Sequence, residues 1–217
     1  MPGLVHGFGL RTGADERREE SLRRAAMALA PCGRLLLLRQ VHGVRVRHAP
    51  WEGRPDGDAA VARLPGQLLG IQTADCLPVL IADPQRRVVG AAHAGWRGTA
   101  AGVARQLVAS LLNEGCRPQE LIAGLGPAIG PCCYEVGEEV RAALGAGAAA
   151  AFRPGARGRF HLDLRAANRL QLIEAGLRAE NVHVIEDCTA CRPDLYYSYR
   201  RDGSAAGRML SYIGFVA

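Results

Sequence analysis

Lysine is absent from this 217-residue chain, and all 27 of its basic side chains are arginines. That absence removes whole enzyme classes. A P-loop NTPase needs the lysine of its phosphate loop, a protein kinase its strand lysine, and a pyridoxal-phosphate enzyme its Schiff-base lysine. Aromatic residues are also scarce, at 5% of the chain, and the arginines are scattered from Arg11 to Arg208 with only isolated pairs. A formal charge of +6 therefore comes without the basic, aromatic-interleaved footprint of a nucleic-acid surface. No dedicated nucleic-acid binding is expected, and an anionic small substrate accounts for a few arginines equally well. Long apolar runs are missing too: those such as 35–38 and 77–82 fall far short of the roughly 20 residues of a membrane span. The start, MPGLVHGFGLRTG, has no basic segment leading into an apolar one, so no signal peptide is expected. Seven cysteines, an odd number in a chain this long, argue against a disulfide scaffold. The expectation is a cytoplasmic protein with reduced thiols and no membrane association.

With 48% apolar and 22% charged residues, the composition is that of an ordinary globular protein, and the length suits a single domain over 1–217. Helical spacing occurs at 16–30, at 99–114 with Gly115 as a left-handed cap, at 134–144, and from an Asp163 cap to residue 175. Short β-rich runs occupy 35–40, 44–48, 59–63, 68–73, 77–83, 88–93, 121–125, 182–185, 195–199 and 209–216, and 145–158 reads as a loop. Strands outnumber helices and often follow one another directly. The pattern predicts an α+β fold with mixed, largely antiparallel sheets flanked by helices. Two glycine-rich stretches do not amount to a nucleotide site. The one at 144–152 lacks a preceding strand, and in Gly124-Leu-Gly126-Pro-Ala-Ile129 an isoleucine stands where the dinucleotide fingerprint needs its last glycine.

Three short blocks carry chemistry: Gln40-Val-His42-Gly43, Thr73-Ala-Asp75-Cys76, and His93-Ala-Gly-Trp96-Arg97-Gly98. The strands at 77–83 and 88–93 are joined by a connection too short for a parallel crossover, so they should form an antiparallel hairpin. A turn centred on residue 85 puts Cys76 opposite residue 94 to within a residue, beside His93. A neighbouring cysteine and histidine can be a nucleophile and its base, two soft metal ligands, or a core pair. Adding His42 would make a three-ligand set with one tetrahedral position open, but spacing alone does not bring His42 to the other two. Cys188-Thr-Ala-Cys191 is a CxxC unit and Cys132–Cys133 a second thiol pair; one CxxC without a matching second is weak grounds for a structural Cys₄ zinc.

The blocks QVHG, TADCLPVLIAD, AAHAGWRGTAAG, GPAIGPCCYEVGEEV, DLRAANRLQLIEAG, CT and YYSYRRDGSAAGR occur in this order between Gln40 and Arg208, within a likeness that runs from about His6. In them the chain resembles the YfiH-type family, whose members are called laccase-like polyphenol oxidoreductases or zinc-dependent purine nucleoside phosphorylases. The resemblance implies a zinc held by His42, Cys76 and His93. The family's N-terminal turn after the arginine is not kept here, where the sequence reads Phe8-Gly9-Leu10-Arg11-Thr12-Gly13.

What the resemblance implies is phosphorolysis of adenosine, inosine or guanosine, with deamination of adenosine at the same site. Purine nucleosides and phosphate would be the partners. Phosphate recognition suits planar arginine forks, and Arg97, Arg200 and Arg201 are the candidates, with Arg11 as a further substrate contact. Asp75 is the candidate acid or base, and Gln40, Tyr134 and Glu135 are candidate pocket residues. A multicopper oxidase needs many histidines, whereas this chain has six and no His-x-His pair. Donor softness favours zinc over copper. The alternative from the residues alone is a hydrolase with Cys76 as nucleophile and His93 as base, acting on an amide such as a peptidoglycan precursor. Nothing in the sequence specifies the oligomeric state.

Overall fold

A computed structural model describes residues 2–11 and 27–216. The helix expected at 16–30 lies mostly outside the described residues; Met27–Leu29 are helical and run into a 3₁₀ turn at Ala30–Cys32. Two sheets stack face to face. The smaller comprises β1 (Leu4–Gly7), β2 (Arg34–Leu37), β5 (Gln67–Thr73) and β13 (Met209–Phe215), in the order β1-β13-β5-β2. The larger comprises β3 (Val46–His48), β4 (Ala59–Ala62), β6 (Leu77–Asp83), β7 (Val88–Ala94), β8 (Ile122–Leu125) and β12 (Val182–Val184), ordered β12-β8-β6-β7-β4-β3. A third, small sheet joins β9 (Glu135–Val136), β10 (Phe152–Pro154) and β11 (Phe160–Leu162). The remaining α-helices among the described residues are α1 (Trp96–Ala100), α2 (Val103–Asn113), α3 (Glu138–Leu144), α4 (Leu164–Glu174) and α5 (Tyr199–Asp202), with short 3₁₀ turns between elements. Most neighbours pair antiparallel, while β2–β5, β3–β4 and β8–β12 pair in parallel. The fold is α+β with mixed sheets flanked by helices.

Strand β6 explains the layering. Its seven residues are all buried, because alternate side chains serve two different cores. Leu77, Val79 and Ile81 pack with Val103, Leu107, Val108 and Leu111 of α2 and with Leu164 and Leu172 of α4. Leu80 and Ala82 face the other way, into a second core with Leu69 and Ile71 of β5 and Ile213 and Phe215 of β13. A seven-residue apolar run thus becomes the middle of a sheet–sheet–helix stack. The β6–β7 hairpin pairs within one residue of the expected register: Leu77 pairs with Ala94 and Pro78 with His93, so Cys76 stands opposite Gly95. Asp163 caps α4 by accepting from the N–H groups of Arg165 (3.0 Å) and Ala166 (3.2 Å).

Four expectations change. The helix expected at 99–114 is two helices, because Gly102 takes a left-handed φ of 83° and breaks the run, and the first starts at Trp96. The stretch 134–144 is helical only from Glu138; Glu135 and Val136 pair with His161 and Phe160 instead. The presumed loop at 145–158 contains a 3₁₀ turn and β10. The stretch 195–199 is not a strand. Tyr196 and Tyr197 are buried against Ala74 and Met209, and Ser198 caps α5.

Candidate active site

His42, Cys76 and His93 come from three separate segments, and their donor atoms all lie within 4.8 Å of one another. Cys76 and His93 sit at the open end of the β6–β7 hairpin. His42 follows β2 in a loop where its backbone is left-handed, with φ 61°. Its ring meets that of His93 edge-on, with centroids 4.8 Å apart and planes at 75°. Gln40 clips this loop to β5, donating to the Gln72 carbonyl (2.7 Å) and accepting from the Gln72 N–H (2.9 Å).

The residue that ties the His42 loop to His93 is Asp58, which the sequence reading missed. It is fully buried at the start of β4. One carboxylate oxygen accepts from the His42 N–H (2.9 Å), the other from those of Val41 (3.1 Å) and Gly43 (2.8 Å). The first oxygen also lies 2.9 Å from His93 Nδ1. With Nδ1 protonated toward Asp58, His93 presents Nε2 to Cys76, which is how a carboxylate fixes the tautomer of a metal-ligating histidine. Burial works against the Asp58 carboxylate, but the His93 and backbone N–H bonds outweigh it and hold its pKa below the usual range. The only sequence signal was an aspartate heading a buried apolar strand.

Electrostatics couples Cys76 and His93. Burial raises the Cys76 thiol, yet the flanking His93 and His42 lower it further, to about 6. Burial likewise lowers His93, while the Cys76 thiolate and Asp58 raise it to about 9. The metal-free pair is therefore thiolate and imidazolium near neutral pH. Gly95 leaves room for the sulfur. A Cβ there would sit 2.9 Å from Cys76 Sγ and 3.2 Å from His42 Cδ2.

The three donors lie in a cleft of about 590 Å³ that is also lined by Gln40, Asp75, Trp96, Arg97, Tyr134 and Arg200, together with Tyr199 and Arg208. The Arg97 guanidinium stacks on Trp96, 4.4 Å from the ring. The Arg200 guanidinium lies 5.2 Å from the Tyr134 ring and donates to the Glu135 carbonyl at 3.1 Å. Asp75, at φ 84°, has both oxygens engaged, one by the Thr189 hydroxyl and one by the Arg200 N–H, each at 2.6 Å. Three of the expected substrate residues do not line the cleft. Arg201 braces the neighbouring loop through the carbonyls of Thr189, Ala190 and Tyr196. Glu135 pairs its side chain with Arg159 at 3.3 Å. Arg11 donates to the Pro193 carbonyl (3.1 Å) and lies over Tyr197.

Two histidines and a cysteine facing an arginine-lined cleft, with the buried Asp58 carboxylate behind His93, define a cysteine–histidine site that could hold a metal on a layered α+β scaffold. Residues 8–216 match the family described as multi-copper polyphenol oxidoreductase laccase, and the chain belongs to that family. It is 42% identical to a purine nucleoside phosphorylase of Deinococcus radiodurans over 98% of this chain and 83% of that protein. It is 39% identical to adenosine deaminase RL5, from an unknown prokaryotic organism, over 72% of this chain and 61% of that one. The crystal structure of YlmD from Geobacillus stearothermophilus superposes with a TM-score of 0.91 at 33% identity, covering 99% of this chain and 93% of that one.

Proposed function

We propose that this chain is a zinc-dependent purine nucleoside phosphorylase that also deaminates adenosine at the same site, acting in the cytoplasm. The observation that carries the reading is the convergence of His42, Cys76 and His93 on the arginine-lined cleft, with Asp58 orienting His93. The relatives' names supply the reaction. Two imidazoles and one thiolate fit zinc, and the open side of the set faces the cleft, as a catalytic site requires. The family's copper name fits less well. The other four histidines (His6, His48, His161 and His183) stand in β1, β3, β11 and β12, and none lines the cleft. Too few ligands remain for a multicopper cluster.

When bound, zinc would supply Lewis acidity at the cleft floor. The chain's residues do the rest. In phosphorolysis a phosphate oxygen attacks C1′ of the ribose, the bond to N9 breaks, and the purine leaves with its electron pair and takes up a proton. Among the described residues the Arg97 guanidinium makes no hydrogen bond or ion pair and stacks only on Trp96, so its fork faces the cleft ready for phosphate oxygens. Arg200 and Arg208 add positive charge at the rim. Tyr134 offers an aromatic face to the base. Asp75 fixes the backbone of Arg200, so in this reading it positions that arginine and does not shuttle protons. In deamination water adds at C6 and ammonia leaves.

Adenosine turnover with and without phosphate tests the reading. Adenine and ribose-1-phosphate formed only with phosphate, alongside inosine, are expected; no turnover of any purine nucleoside by zinc-loaded protein refutes it. The thiolate–imidazolium pairing of Cys76 and His93 favours one second reading, a metal-free Cys–His amide hydrolase. That reading requires activity on a muramoyl peptide that survives chelation and is abolished by alkylating Cys76.

A further inference from the structure

Four cysteines outside the cleft come together in the fold. The donor sulfurs of Cys132, Cys133, Cys188 and Cys191 all lie within 4.8 Å of one another. Cys191 Sγ is 3.6 Å from that of Cys132 and 3.3 Å from that of Cys133. We propose that these four residues form a second, structural metal site, a Cys₄ cage for zinc, separate from the cleft ligands.

The geometry suits a metal better than a disulfide. A tetrahedral ion with metal–sulfur bonds of about 2.3 Å places its sulfurs about 3.8 Å apart, so the two spacings at Cys191 need about half an ångström of adjustment or less. A disulfide would engage Cys191 with one vicinal cysteine and leave the other against it; one ion satisfies all four. The backbone is already shaped for the purpose. At the CxxC turn, the N–H groups of Cys191 and Arg192 both bond the Cys188 carbonyl, each at 3.2 Å, which folds Cys188 and Cys191 onto one side. The Gly130 N–H donates to Cys188 Sγ at 3.2 Å, a bond that favours a charged sulfur. A parallel bridge between Ala128 and Cys188 holds the two loops in register.

Charge is partly offset as well. Arg165 is 4% exposed and donates to the carbonyls of Ile185 and Asp187. A Cβ at Gly130 would sit 3.0 Å from Arg165 Nη2, 3.1 Å from Cys188 Cβ and 3.3 Å from Cys132 Sγ, so the guanidinium lies against the cage. Four thiolates around a divalent ion leave a net charge of about −2, and a buried arginine beside it offsets part of that charge, though it also lies 3.6 Å from Asp163. Cys132 and Cys191 are exposed, which gives the ion a route in.

The cage would staple the segment carrying Tyr134 to the loop carrying Thr189, and Thr189 in turn holds Asp75. It thereby fixes one wall of the cleft without touching substrate. It does not depend on which reaction the cleft performs.

Native mass spectrometry of the full chain, purified with reductant and zinc, tests the proposal. Two zinc ions per chain are expected, one remaining in His93→Ala and one in Cys188→Ser/Cys191→Ser. A single ion in the wild type that is lost in His93→Ala overturns the proposal, as does a Cys191 disulfide under reducing conditions. Should the double serine variant fail to fold, cadmium titration of the wild type still decides. Charge-transfer absorbance from the four cage thiolates plus Cys76 supports the cage, and absorbance from one thiolate alone refutes it.

Discussion

Asp58→Asn is the sharpest test of how the site is held. The substitution keeps the shape of the side chain but turns one acceptor oxygen into an NH₂ donor. If that donor faces the N–H groups of Val41 and Gly43, the His42 loop loses two bonds of 3.1 and 2.8 Å. If it faces His93 Nδ1 instead, the imidazole proton moves to Nε2 and blocks the nitrogen aimed at Cys76. Either orientation damages a ligand. Hydrogen bonds to a charged group contribute about 1.5–3 kcal/mol each, so losing two costs about 3–6 kcal/mol of stability. A domain of ordinary stability, about 5–15 kcal/mol, can survive that loss. Asp58→Ala would strand all four donors and is not expected to fold. Loss of an orienting carboxylate weakens metal binding about 10- to 100-fold, equivalent to about 1.4–2.8 kcal/mol. The assay is adenosine turnover against free zinc in chelator buffers, with circular dichroism to confirm folding. The half-maximal zinc concentration should rise by that factor, with activity restored at high zinc. A folded Asp58→Asn protein whose zinc dependence matches the wild type within about twofold would refute the orienting role; the expected shift is at least about tenfold.

Other outcomes follow from the same geometry. Gly95→Ala places a methyl 2.9 Å from Cys76 Sγ at an ordinary φ of −74°, so zinc content at the cleft and turnover should collapse while the melting temperature moves by only a few degrees, read by metal analysis and calorimetry. Arg97→Lys removes both the planar fork and the stacking on Trp96; the phosphate KM should rise about tenfold or more, equivalent to the roughly 1.5–3 kcal/mol of one charge-assisted bond, with the nucleoside KM less affected. In metal-free protein, Cys76 is the group lowered to about 6, so it stays thiolate above that pH and protonates below it. Iodoacetamide modification of Cys76, followed by peptide mass spectrometry, should be level from pH 8 to about 7 and fall about tenfold per unit below about 6, because only the thiolate reacts. Cys116, pushed up to about 12 by burial and the nearby Asp83, should remain unmodified throughout.

The hairpin that presents Cys76 and His93 was legible because a connection too short for a crossover leaves one way for two strands to pair. The observed register differs from the expected one by a single residue. The layered α+β fold was legible for a similar reason, since β-rich runs followed one another without helices between them. His42 was not legible from spacing, because its approach depends on a loop folded around Asp58. Asp58 itself could not be found, as its partners lie 15 to 17 positions back and 35 positions ahead in the chain. Arg201 and Glu135 neighbour Arg200 and Tyr134 in sequence yet do not line the cleft with them. Arg201 is consumed by three loop carbonyls, and Glu135 sits in a strand, not in the helix that was expected to begin there. The four cage cysteines were visible as two separate pairs, and long-range pairing, including the Ala128–Cys188 bridge and the Gly130–Cys188 bond, brings those pairs together.

His42 and Asp75 both hold a backbone conformation that suits glycine, at a strain of about 1–3 kcal/mol each. Thermal robustness and chemistry therefore pull against each other at two positions of one cleft. A variant library screened for heat resistance alone should shed these side chains early, with glycine or asparagine replacing them, and the survivors would be sturdier proteins that do nothing. Any programme to toughen this enzyme has to select for turnover at every round.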